Sequence, residues 1–120
     1  MAGKKILIVD DEINFVKMVQ VRLEANGYDV EVAFDGEEGL EKAEEVMPDL
    51  ILLDIMMPKK DGYTFLLELK KNDAMKAIPV IALTAKPGMK DMFELEGAKD
   101  YITKPFESDQ LLTKIRDLIG

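Results

Sequence analysis

The sequence contains no cysteine and no histidine. The first absence removes disulfides, thiolate metal sites and thiol chemistry together. The second removes phosphohistidine, zinc ligation through imidazole and a histidine general base. Proton transfer or covalent chemistry therefore falls to carboxylates, hydroxyls or lysine. Long apolar runs are also missing. Ile6–Val9, Leu50–Leu53 and Val80–Leu83 are the longest, far below the ~20 residues of a membrane-spanning helix. The basic start, Met1–Lys5, meets Asp10, Asp11 and Glu12 after a short apolar run, which argues against a signal peptide. A cytoplasmic protein without membrane contact is the expectation. No dense Lys/Arg cluster offsets the 24 acidic against 16 basic residues, a formal charge of −8. Direct nucleic-acid binding needs a basic stripe to neutralise phosphates and is not expected; the acidity serves solubility. No internal repeat, linker or low-complexity tract divides the chain. Residues 1–120 read as a single domain, long enough to bury roughly two-thirds of its unfolded surface without a disulfide or structural metal.

What remains is an alternation of short apolar runs with amphipathic segments, the pattern of repeated βα units. Strands are predicted at Lys5–Val9, Asp29–Ala33, Asp49–Leu53, Ile78–Leu83 and Asp100–Thr103. Between them, Phe15, Val16, Val19 and Leu23 share one helical face, ended by Asn26-Gly27. Gly36, Leu40, Ala43 and Met47 make a second face, with Asp35 as N-cap and Pro48 beyond the end. Phe65, Leu66 and Leu69 make a third. Met92, Phe93 and Leu95 suggest a short fourth helical segment closed by Gly97. Leu111, Leu112, Ile115, Leu118 and Ile119 form the last, with Ser108 as its expected N-cap. ILIV, LILL and VIAL are continuously apolar, as in strands covered on both faces. DVEVA and DYITK mix polar and apolar residues, as edge strands do. An α/β, doubly wound, five-stranded parallel sheet of order 2-1-3-4-5 satisfies both. In such a flavodoxin-like three-layer sandwich, ligands bind at the carboxyl ends of the strands beside the switch point.

Those carboxyl ends carry Asp10-Asp11-Glu12, Asp54, Thr84 and Lys104. Each has an ordinary explanation alone. Asp11 or Glu12 would suit a helix N-terminus, Asp54 would cap a turn, and Thr84 or Lys104 would be solvated. Together they place like charges close to one another, which costs energy unless a proton or cation compensates. With only oxygen ligands available, Mg²⁺ fits better than zinc or copper. Lys104 adds a second positive charge able to hold a phosphoryl oxygen, and Thr84 a hydroxyl donor. The set suits phosphoryl transfer, where positioning and charge neutralisation dominate, with the Asp54 carboxylate as the best nucleophile present.

The motifs ILIVDDE, LILLDIMMPKKDGY, ALTA and YITKPF, in this order at strand ends, resemble the receiver domain of two-component response regulators from Lys5 to Gly120. The resemblance implies that Asp54 is phosphorylated to an aspartyl phosphate. It implies that Asp11 binds Mg²⁺ directly, Asp10 mostly through water, and Met56 through its backbone carbonyl. Lys104 would pair with the phosphoryl group ahead of a cis bond to Pro105. Thr84 and Tyr101 resemble the switch pair that reshapes the surface of the fourth helical segment, fifth strand and last helix; Tyr101 reads equally as an edge-strand aromatic. By the same resemblance, Met56 and Lys86 would occupy the positions that modulate phosphoryl lifetime. The partners implied are a histidine kinase or histidine phosphotransfer protein upstream and an effector protein or domain downstream. The chain would act as a regulatory phospho-acceptor and not as an enzyme on other substrates. The stretch from Thr84 to Lys104 is about two residues shorter than the family spacing, around Lys86-Pro87-Gly88-Met89, and Pro87-Gly88 blocks helix there.

Three other readings compare poorly or stay open. A haloacid-dehalogenase nucleophile would need a second aspartate two positions on, where this chain has Glu12 after Asp10 and Asp11. A flavodoxin would need a Ser/Thr/Gly-rich phosphate loop after the first strand, which acidic Asp10-Asp11-Glu12 opposes. The alternative that stays open is a phosphorylation-independent, receiver-like interaction module.

Overall fold

The computed structural model describes residues 3–54, 62–84, 98–103 and 107–120. Five parallel strands form one sheet: β1 (Lys5–Val9), β2 (Asp29–Ala33), β3 (Leu50–Asp54), β4 (Val80–Thr84) and β5 (Asp100–Thr103), in the order β2-β1-β3-β4-β5. The helices described are α1 (Ile13–Ala25), α2 (Gly36–Val46), α3 (Gly62–Lys71) and a C-terminal helix (Ser108–Ile119). The expected doubly wound sheet is therefore the observed one. The fourth helical segment at Met92–Leu95 and the shortened stretch at Lys86–Met89 lie outside the described residues.

Period-two alternation splits the apolar runs between two cores. Leu7 and Val9 of β1, with Ile51 and Leu53 of β3, face a cluster closed by Ala43, Phe65, Leu66 and Leu69 of α2 and α3. Ile6, Ile8, Leu50 and Leu52 face the opposite cluster, closed by Val16, Val19 and Leu23 of α1 and Leu111, Leu112 and Ile115 of the C-terminal helix. All four residues of ILIV and of LILL are fully buried, each side chain contributing roughly 1.5–3 kcal/mol on removal from water. The mixed sequences are the edges: β2 is fully buried only at Ala33, and β5 only at Ile102.

The register brings the strand ends level. Val9 pairs with Leu53 and Ala33, Asp54 with Leu83, and Thr84 with Thr103. The strands end slightly later than the apolar runs suggest. Asp54 and Thr84 are the last residues of β3 and β4, not the first beyond them, because backbone pairing continues past the apolar side chains. Two helix details also differ from expectation. Met47 is not on the buried face of α2; it is the exposed C-cap in left-handed conformation, φ 46°. Pro48 follows directly and disfavours a further helical residue. The residue flanking the C-terminal helix is Glu107, whose carbonyl accepts from the Gln110 and Leu111 N–H groups; Ser108 is already helical.

Candidate functional site

Asp10 leaves the end of β1 with its N–H bonded to the Ala33 carbonyl at 3.0 Å. That bond continues the β1–β2 ladder by one residue and fixes where the carboxylate stands. Asp10 is fully buried, and Asp54, at the end of the adjacent strand β3, is 4% exposed. These are the buried charged residues among those described. Buried carboxylates side by side are costly unless compensated.

Glu12 completes the group. Its N–H donates to Asp10 Oδ1 at 2.9 Å, closing a local turn of the kind aspartates form two residues on. One carboxylate oxygen each from Asp10, Glu12 and Asp54 lie within 4.8 Å of one another. Asp11, between them, is exposed and stands outside this group. The reason is local: Glu12 has extended backbone (φ −87°, ψ 95°), and in extended chain alternate residues point the same way. The sequence places Glu12 in the acidic run, but the resemblance gives it no role. The signal that would have found it is this alternation.

The other expected site residues fall around this group unequally. Thr84 has its backbone at the last position of β4, beside the strand that ends in Asp54. Tyr101, on β5 opposite Ala82, is half-buried and packs against the α2/α3 core. Lys104, the Lys104-Pro105 bond, Met56 and Lys86 lie outside the described residues.

The donor set fits a hard divalent cation. All three groups are carboxylates, imidazole and thiolate are absent from the chain, and oxygen-only sites favour Mg²⁺ over zinc or copper. Mg²⁺ at ~2.1 Å from its ligands sets opposite oxygens about 4.2 Å apart. A spread within 4.8 Å is close to that span.

Comparison with known proteins follows the same line. The profile of the response regulator receiver domain matches residues 6–116. The alkaline phosphatase synthesis transcriptional regulatory protein PhoP of Bacillus subtilis is 46% identical over 119 residues, covering 98% of this chain and 49% of the relative. The chain thus spans about half the length of such curated relatives. Among solved structures, the Vibrio cholerae chemotaxis protein CheY4 superposes with a TM-score of 0.91 at 34% identity, covering 98% of this chain and 99% of the other. The receiver domain of the sensor histidine kinase PA1611 of Pseudomonas aeruginosa, described with magnesium coordinated in its active-site cleft, has a TM-score of 0.91 at 32% identity. It covers 99% of both chains.

Proposed function

The chain belongs to the response regulator receiver domain family, and on that premise we propose that residues 1–120 form one phosphoryl-accepting switch with Asp54 as the acceptor. The observation that carries the reading is the position of Asp54: a nearly buried carboxylate at the switch-point end of β3, within 4.8 Å of two other carboxylates. An Asp54 carboxylate oxygen attacks phosphorus, the P–N bond of a partner phosphohistidine breaks, and the electron pair and a proton return to the leaving imidazole. The partner must supply that histidine, since this chain has none. A histidine kinase or a histidine phosphotransfer protein has the required chemistry.

Bound Mg²⁺ supplies neutralisation of the charge on the phosphoryl oxygens. Asp10 and Asp54 would hold it, Asp10 mostly through water, with the Met56 carbonyl in the role the resemblance gives it; Asp11, exposed and outside the carboxylate group, would have to turn inward to take up the direct contact that the resemblance implies. Lys104 steadies the transferred group, and Thr84 donates to one of its oxygens. Thr84 and Tyr101 then carry the change to the surface around β5 and the C-terminal helix. Met56 and Lys86 set how quickly water reaches the acyl phosphate. The chain catalyses only its own phosphorylation and dephosphorylation. Its effector is a protein or a further domain, read in the cytoplasm; a formal charge of −8 makes DNA a poor direct partner for these residues. No described helix is long and apolar enough to cross a membrane.

Intact mass after incubation with a small-molecule phosphodonor, with and without Mg²⁺, tests the reading. One phosphoryl group is expected on the protein with Mg²⁺, and none on Asp54→Asn or without Mg²⁺. No addition to the unaltered protein would favour the phosphorylation-independent interaction module instead.

A further inference from the structure

We propose that the cavity between Lys4 and Arg116, at the amino ends of the strands, binds a small organic anion of phosphate or carboxylate chemistry. It lies across the length of β1 from Asp10 and owes nothing to the acidic site. Its volume is about 590 Å³, within the range of roughly 300–1,000 Å³ usual for small-molecule sites. Three segments distant in sequence wall it: the residues before β1, the α1–β2 turn and the end of the C-terminal helix.

The backbone ties those segments together. Tyr28, only 8% exposed, donates its hydroxyl to the Gly120 carbonyl at 3.2 Å. The Asp29 N–H donates to the Lys4 carbonyl at 2.9 Å. Gly3 and Gly27 approach so closely that a Cβ on Gly3 would collide with the Gly27 carbonyl oxygen. The cavity is thus held open by hydrogen bonds and backbone contact and does not depend on mobile side chains for its floor.

Its charge is the reverse of the molecule's. The chain carries 24 acidic against 16 basic residues, yet among the described residues no carboxylate side chain lines this cavity. Neither Lys4 nor Arg116 makes an ion pair among the described residues. Arg116 alone would suit the carbonyl end of its helix. Lys4 comes from a different element and has no such explanation. Asn26 Nδ2 spends one N–H on the Arg22 carbonyl and keeps a second to offer. A guanidinium fork, an ammonium and an amide N–H are all donors, and two of them are cationic. A ligand with anionic oxygens satisfies the set.

Amide NMR titrations of the chain without Mg²⁺, using sodium pyrophosphate and sodium malonate, test this. Signals of Asn26, Gly27 and Tyr28 should shift. Affinity should fall roughly 10-fold in Arg116→Gln and in Lys4→Gln, both at exposed positions, with the remaining spectrum unchanged. Lys17→Gln, an exposed cation outside the cavity, should change it little. A response to pyrophosphate alone would assign the site to phosphate chemistry, and a response to both probes to oxyanions generally. No shift at these residues with either probe would overturn the proposal. Equal weakening by Lys17→Gln would also overturn it, leaving an adventitious ion only.

Discussion

At the scale of single residues, Asp35 shows how little is needed to start a helix beside the site. Its Oδ1 accepts from the Glu38 N–H at 2.9 Å, and the Glu38 carboxylate accepts from the Phe34 N–H at 3.3 Å. The first satisfies a first-turn N–H of α2 that the helix cannot reach itself, and the second ties the residue before the cap to that turn. Asp35→Ala should cost about 1 kcal/mol in urea unfolding, and Asp35→Asn far less; equal losses would mean the charge and not the hydrogen bond matters. Lys70 is a different case. Burial, and then the charge of Lys99, hold its ammonium below the usual lysine range of 10.5, while its Nζ donates to the Lys76 carbonyl at 3.0 Å. The unfolded chain keeps a proton that the folded protein binds less well, so the penalty is present at neutral pH. Stability should rise as pH climbs through the lowered folded value toward 10.5. Lys99→Glu should add about 0.2–1 kcal/mol at neutral pH, a small figure because Lys70 is partly solvated and screened. It should also flatten the alkaline rise, and the gain should shrink in ~1 M salt. Urea melts at neutral and alkaline pH check both.

At the scale of elements, Gly39 decides how closely α2 lies on the sheet. A Cβ there would stand 2.9 Å from Val9 Cγ1 and 3.0 Å from Phe65 Cε2, so neighbours in the packed core must shift. Gly39→Ala should destabilise by about 1–3 kcal/mol and weaken the response to Mg²⁺, because Val9 leads directly into Asp10. A variant as stable as the parent would show that α2 can lift without cost. At the other end of α2, Met47 sits in left-handed conformation at φ 46°. Met47→Gly should stabilise by on the order of 0.5 kcal/mol, relief of strain outweighing the added freedom of the unfolded chain; an unchanged melting temperature would contradict this. Met47 also marks a limit of reading helices from spacing. Its separation from Ala43 puts it on the apolar face, but Pro48 ends the helix before that geometry applies. The sheet was legible because ILIV, LILL and VIAL are apolar for the same reason that they are central. Asp10 and Asp54 were legible because they follow those runs. Glu12 was harder to see, since which of two adjacent acids turns inward depends on backbone angles that side-chain type does not encode.

At the scale of the whole molecule, the buried acids make stability depend on the cation. Anything bound by the folded state alone adds to stability by mass action, about 2.7 kcal/mol at a hundredfold excess over Kd. Saturating Mg²⁺ should therefore raise the melting temperature. Asp54→Asn should melt higher than the parent without Mg²⁺ and gain little from it. A parent that melts identically with and without Mg²⁺ would count against an occupied site. The position of β1 between β2 and β3 has a further consequence, for biosynthesis. An interior strand of the finished sheet emerges from the ribosome well before its second neighbour; Lys5 and Asp49, bonded at the base of the β1–β3 pair, are 44 residues apart. Until β3 is translated, Ile6–Val9 keeps one unpaired strand edge, so the nascent chain is exposed to edge-to-edge aggregation in that interval. Parallel pairing across so long a loop is also slow to form. Once β3 docks, that edge and the danger close together.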